Sequence, residues 1–217
     1  MIRAVVFDVG ETLIDERGLW HRWADWLGVP RERFMDTLTD IVRRGVHHRQ
    51  VFEVFRPGFD LDAAAGARRA AGDDPGFRAE DFHADALPCL ARLRSAGFRV
   101  GIAGNTSADT ERFLIEAGVP ADFISSAATC GVEKPSPAFF ARVVGAAGFR
   151  PAEIAYVGDR IDNDVLPAQR TGLTGVFLRR GLWAEVHRDI PDAAGADIII
   201  DALNELPDAF TRSRDGP

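Results

Sequence analysis

The chain has 217 residues, 46% of them hydrophobic and 27% charged, with a formal net charge of −7. That composition excludes a disordered or fibrous protein, and the length suits one domain with an insertion, or two small domains. No block of Lys or Arg is long enough to track a phosphate backbone, so no nucleic acid partner is expected.

The N-terminal run MIRAVVFDVG is too short and too early interrupted by Asp8 to be a signal peptide, and no window approaches the apolar length of a membrane span. A cytoplasmic protein with no membrane partner is expected. Cys89 and Cys130 are too few for a disulfide framework and have no metal-ligand spacing, so both read as buried thiols.

Residues 3–7 form an apolar run, β-branched at Val5 and Val6 and closed by Asp8 and Gly10, which reads as a strand buried on both faces. Between about Glu16 and Phe82 strand-like runs vanish and helical spacing takes over. Leu19, Trp20, Trp23 and Leu27 share one helical face that stops at Gly28 and Pro30. A second helix starts at Arg31 and runs past Phe34, Leu38 and Ile41. The pattern over 50–55 is ambiguous, whereas 62–71 has the content of a helix capped by an acid and ended by Gly72.

After this helical segment the short apolar runs return, at 98–103, 123–126, 154–157, 175–178 and 198–200, with helical patterns between most of them. Such alternation predicts an α/β fold: a Rossmann-like parallel sheet flanked by helices, with ligands at the strands' carboxyl ends. The core is assigned to 1–15 and 83–217, with a small all-helical insertion at 16–82. The polar tail 213–217 is expected to fray.

Chemistry gathers where those strand ends should lie. Asp8 follows the first run, Gly104-Asn105 the second and Gly158-Asp159 the fourth, while Lys134 stands in a loop before Pro135. Gly158-Asp159-Arg160-Ile161-Asp162-Asn163-Asp164 packs three carboxylates into one loop, where their repulsion would be costly without a cation. A lone strand-end Asp is usually a turn former and a lone Lys usually surface charge; it is their combination that points to a site.

Together these four segments resemble motifs I to IV of the haloacid dehalogenase (HAD) superfamily, in order and separation, across residues 7–164. Lys134-Pro135-Ser136-Pro137 is similar to motif III, and Gly158-Asp159 with Asp164 to motif IV. The helical insertion falls where the family carries its C1 cap. The resemblance implies a phosphatase-like hydrolase in which Asp8 attacks phosphorus, Lys134 holds nucleophile and phosphate, and Mg²⁺ is bound by Asp8, the Gly10 carbonyl, Asp159 and Asp164. Gly104, Asn105, Thr106 and Lys134 would contact a small phosphorylated metabolite.

Motif I departs from the family pattern as Asp8-Val9-Gly10-Glu11-Thr12. Gly10 stands where family phosphatases place a second Asp that protonates the leaving group, which implies reduced turnover. Glu11 is the candidate replacement, although in an extended chain neighbouring residues point to opposite sides. In motif II, Gly104 replaces the phosphate-binding hydroxyl, leaving backbone N–H groups, Thr106 and Ser107 as donors.

Two other readings stay open. Dehalogenases of the superfamily also lack the second Asp, so a 2-haloacid dehalogenase-like hydrolase is an alternative, as is a non-catalytic HAD-fold binding protein. Arg179 and Arg180 suit either a second substrate anion or the surface, and His47 and His48 suit a solvated loop. Trp20, Trp23, Trp26 and Trp183 suit core packing or a pocket, and an exposed tryptophan face on the cap is compatible with a homodimer.

Overall fold

The computed structural model describes residues 1–187 and 195–212; the tail predicted to fray lies outside them. Contacts divide the chain into two compact units, Met1–Asp15 with Phe82–Pro217, and Glu16–Asp81.

The first unit is built on a six-stranded parallel sheet in the order β3-β2-β1-β4-β5-β6. The strands are β1 (Ala4–Phe7), β2 (Arg99–Gly104), β3 (Phe123–Ser126), β4 (Ile154–Gly158), β5 (Thr174–Leu178) and β6 (Ile198–Ile200). They match the predicted runs to within a residue at each end. Ala4–Phe7 and Ile154–Gly158 are buried throughout, which is why they read as unbroken apolar runs rather than as alternation. Strand order reverses around β1, with β2 and β3 on one side and β4, β5 and β6 on the other. In such sheets the crevice outside the carboxyl ends at the reversal takes the ligand, and Asp8 leaves β1 at that point.

The second unit contains α1 (Arg17–Leu27), α2 (Arg31–Arg43), α3 (Gln50–Phe55) and α4 (Leu61–Ala70). Gly28 ends α1 in the left-handed region at φ 70°, returning its N–H to the carbonyls of Ala24 and Asp25. The ambiguous run 50–55 is a helix, too short to show a full apolar stripe. The acid capping α4 is Asp60, two residues earlier than the predicted start, accepting the Ala63 N–H at 2.9 Å.

Aromatic packing holds this unit together. Phe52 lies 5.4 Å from Trp23, 6.0 Å from Phe34 and 6.3 Å from Trp20 between ring centroids. Truncating so enclosed a ring costs roughly 3–5 kcal/mol. Trp20 and Trp23 are therefore core residues and do not form an exposed tryptophan face. Trp26 is the exposed member, at 37%, with the Arg56 guanidinium 5.3 Å over its ring.

The helices of the first unit are α5 (Ala86–Ser95), α6 (Ala108–Glu116), α7 (Ala127–Cys130), α8 (Pro137–Ala147), α9 (Leu166–Arg170), α10 (Gly181–His187) and α11 (Leu206–Arg212). Phe82 falls with this unit, bridged to Ile14 in antiparallel fashion. Cys89 is buried as expected, but Cys130 is only half-buried, its thiol donating to the Val132 carbonyl at 3.2 Å. Among the described residues no helix is long and apolar enough to cross a membrane.

Candidate active site

Asp8 extends β1 by one bond, its N–H donating to the Val157 carbonyl on β4 at 2.9 Å, so the sheet itself aims the carboxylate. A Cβ at Gly104 would overlap Asp8 Oδ1. The missing motif II side chain is thus the space Asp8 occupies, and any residue larger than glycine at the end of β2 would push the carboxylate away.

On β4, Asp159 follows the strand directly and Asp164 arrives through a π-helical turn at Ile161–Val165. A π turn closes i→i+5 hydrogen bonds, and Asp164 is drawn back to the strand end, its Oδ2 accepting the Arg160 N–H at 3.0 Å. Gly158 accommodates this, because a Cβ there would collide with the Asp164 side chain. Ligand oxygens of Asp8, Asp159 and Asp164 all lie within 4.8 Å of one another. Asp162 does not join them: its carboxylate turns outward onto the Arg160 guanidinium, at 3.1 and 2.7 Å. The loop therefore contributes two of its three acids, Asp159 and Asp164, and the third acid of the cluster is Asp8.

Lys134 completes the group. Its Nζ lies 2.7 Å from Asp8 Oδ1 and 2.6 Å from Asp164 Oδ1, and the residue is 3% exposed. Its backbone is gripped by Asn105, whose Oδ1 accepts the Lys134 N–H at 2.7 Å and whose Nδ2 donates to the Lys134 carbonyl at 2.9 Å. The Lys134-Pro135 peptide is cis. Asn105 was expected at the substrate, but its side chain fastens the lysine loop instead.

The electrostatics follow from burial. Burial works against the charge on Lys134, but Asp164 and Asp8 outweigh it and hold the ammonium well above the ordinary lysine value. Burial raises Asp159 well above the usual carboxylate range, and the charges of Asp164, Asp8 and Glu11 add to that. Asp164 is pushed up to about 6, mainly by burial, with Lys134 pulling the other way. Three acids thus face one cation, and Asp159 Oδ2 is buried without a hydrogen-bond partner. An orphaned buried carboxylate oxygen beside two more carboxylates is the donor set of a hard divalent cation, so the residues present fit a metal ion.

The rest of the predicted set divides. The Gly10 carbonyl accepts the Thr12 N–H at 2.6 Å. Glu11 is not extended: it has φ 53°, and its carboxylate is buried against Gly181. Sequence placed glycine at 10 and acid at 11, yet the left-handed position is the acid's, at a cost of roughly 1–2 kcal/mol. The Thr106 N–H, expected to be open to an anion, donates to the Gly104 carbonyl at 2.9 Å, and Ser107 Oγ caps α6 through the Thr110 N–H at 3.1 Å.

Neither arginine after β5 waits for a second anion. Arg179 forks onto Asp201 at 2.8 and 2.7 Å. Arg180 donates to Asp85 at 2.7 Å and to the Thr12 carbonyl at 2.8 Å, tying down the motif I turn. His47 and His48 stack on each other, with His48 edge-on to Trp20, and Trp183 supports Arg160 at 3.9 Å.

Comparison with known proteins gives the family. A model of the haloacid dehalogenase-like hydrolases matches residues 2–172. A glyceraldehyde 3-phosphate phosphatase of Methanopyrus kandleri is 30% identical over 214 residues, covering 88% of this chain and 92% of that protein. A phosphoserine phosphatase of Thermus thermophilus is 32% identical over 112 residues, 50% of this chain and 45% of its own length. The fold is shared with an HAD hydrolase of Bacillus subtilis solved bound to magnesium, at a TM-score of 0.70 and 18% identity, over 96% of this chain and 98% of that one. A strand-end aspartate facing two motif IV aspartates and a buried lysine, within a sequence match spanning most of the sheet, makes this chain a hydrolase that belongs to the haloacid dehalogenase-like family.

Proposed function

We propose that the chain is a Mg²⁺-dependent phosphohydrolase of a small phosphorylated metabolite, working through an aspartyl-phosphate on Asp8. The observation that supports this best is the convergence of Asp8, Asp159 and Asp164 within 4.8 Å, with the Lys134 ammonium on Asp8 at 2.7 Å.

The Asp8 carboxylate attacks phosphorus, the ester P–O bond breaks, and the departing alkoxide takes up a proton. Water then attacks the aspartyl-phosphate and releases orthophosphate, restoring Asp8. Lys134 holds Asp8 in line and offsets charge on the incoming phosphoryl group. Asp8, Asp159, Asp164 and the Gly10 carbonyl would hold Mg²⁺, which when bound neutralises the non-bridging oxygens. Gly10 has no side chain to hand over the leaving-group proton; Glu11 is the nearest replacement in sequence, and otherwise water serves at a lower rate.

The Glu16–Asp81 unit fits the role of the family's substrate-selecting cap. The named activities of the relatives direct the substrate search to glyceraldehyde 3-phosphate and phosphoserine. The dehalogenase reading is weaker, because displacing halide from carbon gives no use to the orphaned Asp159 oxygen.

The test is orthophosphate release from a panel of phosphorylated metabolites headed by these two, in Mg²⁺ and in EDTA, with Asp8→Asn as control. Release that needs both Mg²⁺ and Asp8 supports the reading. Chloride release from a 2-haloacid in EDTA, with no phosphate release, would replace it.

A further inference from the structure

Lys134 is the single lysine among the 26 Lys and Arg residues of this chain, and Tyr156 is its single tyrosine. The fold brings the two together. Tyr156 lies mid-way along β4 with no exposed surface, and Lys134 Nζ sits 5.5 Å from the centre of its ring. Its hydroxyl donates to the Ala103 carbonyl at 2.7 Å. Ala103 belongs to β2, so the phenol reaches past β1 to the residue just before Gly104, against which Asp8 packs.

An ammonium has three N–H donors. Two go to Asp8 Oδ1 and Asp164 Oδ1, and Tyr156 borders the same buried space. A guanidinium, planar and with five donors, matches flat bidentate partners rather than a compact three-sided cage. That accounts for a lysine here in a chain that uses arginine at its other basic positions.

We propose that Tyr156 is a positioning residue: its ring and hydroxyl form the third wall that keeps the Lys134 ammonium on Asp8 and Asp164. The hydroxyl is fixed by Ala103, so the wall is registered to the strand end that seats the nucleophile. The electron-rich ring face also favours a desolvated cation. Burial pushes the phenol well above its ordinary pKa, so the hydroxyl keeps its proton. Packing alone would be served by phenylalanine, since Tyr156 already makes edge contacts with Phe140 and Phe139 at 5.2 and 6.4 Å.

The single lysine makes the test direct. In protein labelled with ¹⁵N-lysine, the one side-chain ammonium reports on Lys134 without any turnover. The wild type is expected to show one slowly exchanging ammonium resonance. Tyr156→Phe should shift it and speed its hydrogen exchange about tenfold or more, leave Mg²⁺ affinity within about twofold, and weaken orthophosphate binding in Mg²⁺ by about 5- to 20-fold.

Absence of the resonance in the wild type overturns the proposal. So does a Tyr156→Phe variant with ammonium exchange and phosphate affinity unchanged, whether or not it melts lower, because the hydroxyl would then serve only its bond to Ala103. The phosphate arm rests on the phosphohydrolase reading. A wild type that ignores orthophosphate while its ammonium responds to Tyr156→Phe would sink that reading and uphold the positioning.

Discussion

The carboxylate of Glu11 stands where a side chain at Gly181 would have to go: a Cβ built on Gly181 overlaps both Glu11 Oε2 and Glu11 Cβ. Residues 170 apart in sequence are thus complementary, and both sit in the left-handed region, at φ 53° and 77°. Gly181→Ala should destabilise the protein by about 2–4 kcal/mol, combining left-handed strain with overpacking. Adding Glu11→Gly should recover more than half of that loss in a double-mutant cycle by urea denaturation. Independent effects of the two substitutions would show that Glu11 can swing clear of Gly181.

Glu11→Gly should be more stable than Glu11→Ala by roughly 1 kcal/mol, because glycine adopts positive φ freely whereas alanine keeps the left-handed strain. Gly10→Asp tests the other half of the exchanged pair. If the missing acid limits turnover, restoring it should raise kcat by about tenfold or more, with Mg²⁺ affinity by calorimetry nearly unchanged. No gain in kcat would mean that Glu11 or water already carries the proton.

How much of this was legible beforehand depended on the range of each interaction. Parallel strands buried on both faces leave apolar runs, and their ends mark the ligand crevice, so Asp8, Gly104 and Asp159 could be found without coordinates, whereas Lys134, in a loop, stood out only through its resemblance to motif III. Conformation at Glu11 could not, since φ there is imposed by the turn that returns the Leu13 and Ile14 N–H groups to the Val9 carbonyl. By composition Asp162 looked equivalent to Asp164, and only the resemblance to motif IV set Asp164 apart; in the fold the π turn separates them. Tyr156 was hidden within an apolar run, where an aromatic reads as core. Asn105 gave no sign of its partner, because its bonds to Lys134 span 29 residues.

Those two bonds make Asn105 a residue whose loss should resemble a mild loss of Lys134. Asn105→Ala removes one acceptor and one donor from the Lys134 backbone, each worth about 0.5–1.5 kcal/mol. The lysine loop should loosen and KM for the phosphorylated substrate rise about 5- to 30-fold, with melting temperature falling a few degrees. Lys134→Met should reduce kcat/KM by roughly 10²-fold or more. A variant at Asn105 with altered kcat but unchanged KM would instead place its side chain at the reacting atoms.

Proton binding at the acidic cluster sets a pH dependence with a definite sign. Asp164 is raised from 3.8 to about 6 and Asp159 also lies well above 3.8. Between the ordinary carboxylate value and these raised values the native state holds protons that the unfolded chain has released. Stability of the metal-free protein should therefore fall as pH rises from about 5 to 7, by at most about 1.4 kcal/mol per pH unit for each group. His187 acts oppositely, because burial lowers it below 6.5 and the unfolded chain takes up that proton first. Asp159→Asn removes one carboxylate and its charge coupling to Asp164 and leaves the contribution of His187, so the difference between variant and wild type reads Asp159 together with that coupling. Denaturation midpoints at pH 5, 6 and 7 in EDTA should show the wild type losing stability relative to Asp159→Asn with rising pH. Saturating Mg²⁺ should abolish that relative loss, since cation and protons compete for the same oxygens, and for the same reason Mg²⁺ affinity should weaken as pH falls from 7 to 5. Parallel pH profiles for the two proteins in EDTA would mean that Asp159 is ionised without a metal, and that the cluster does not need one to stay together.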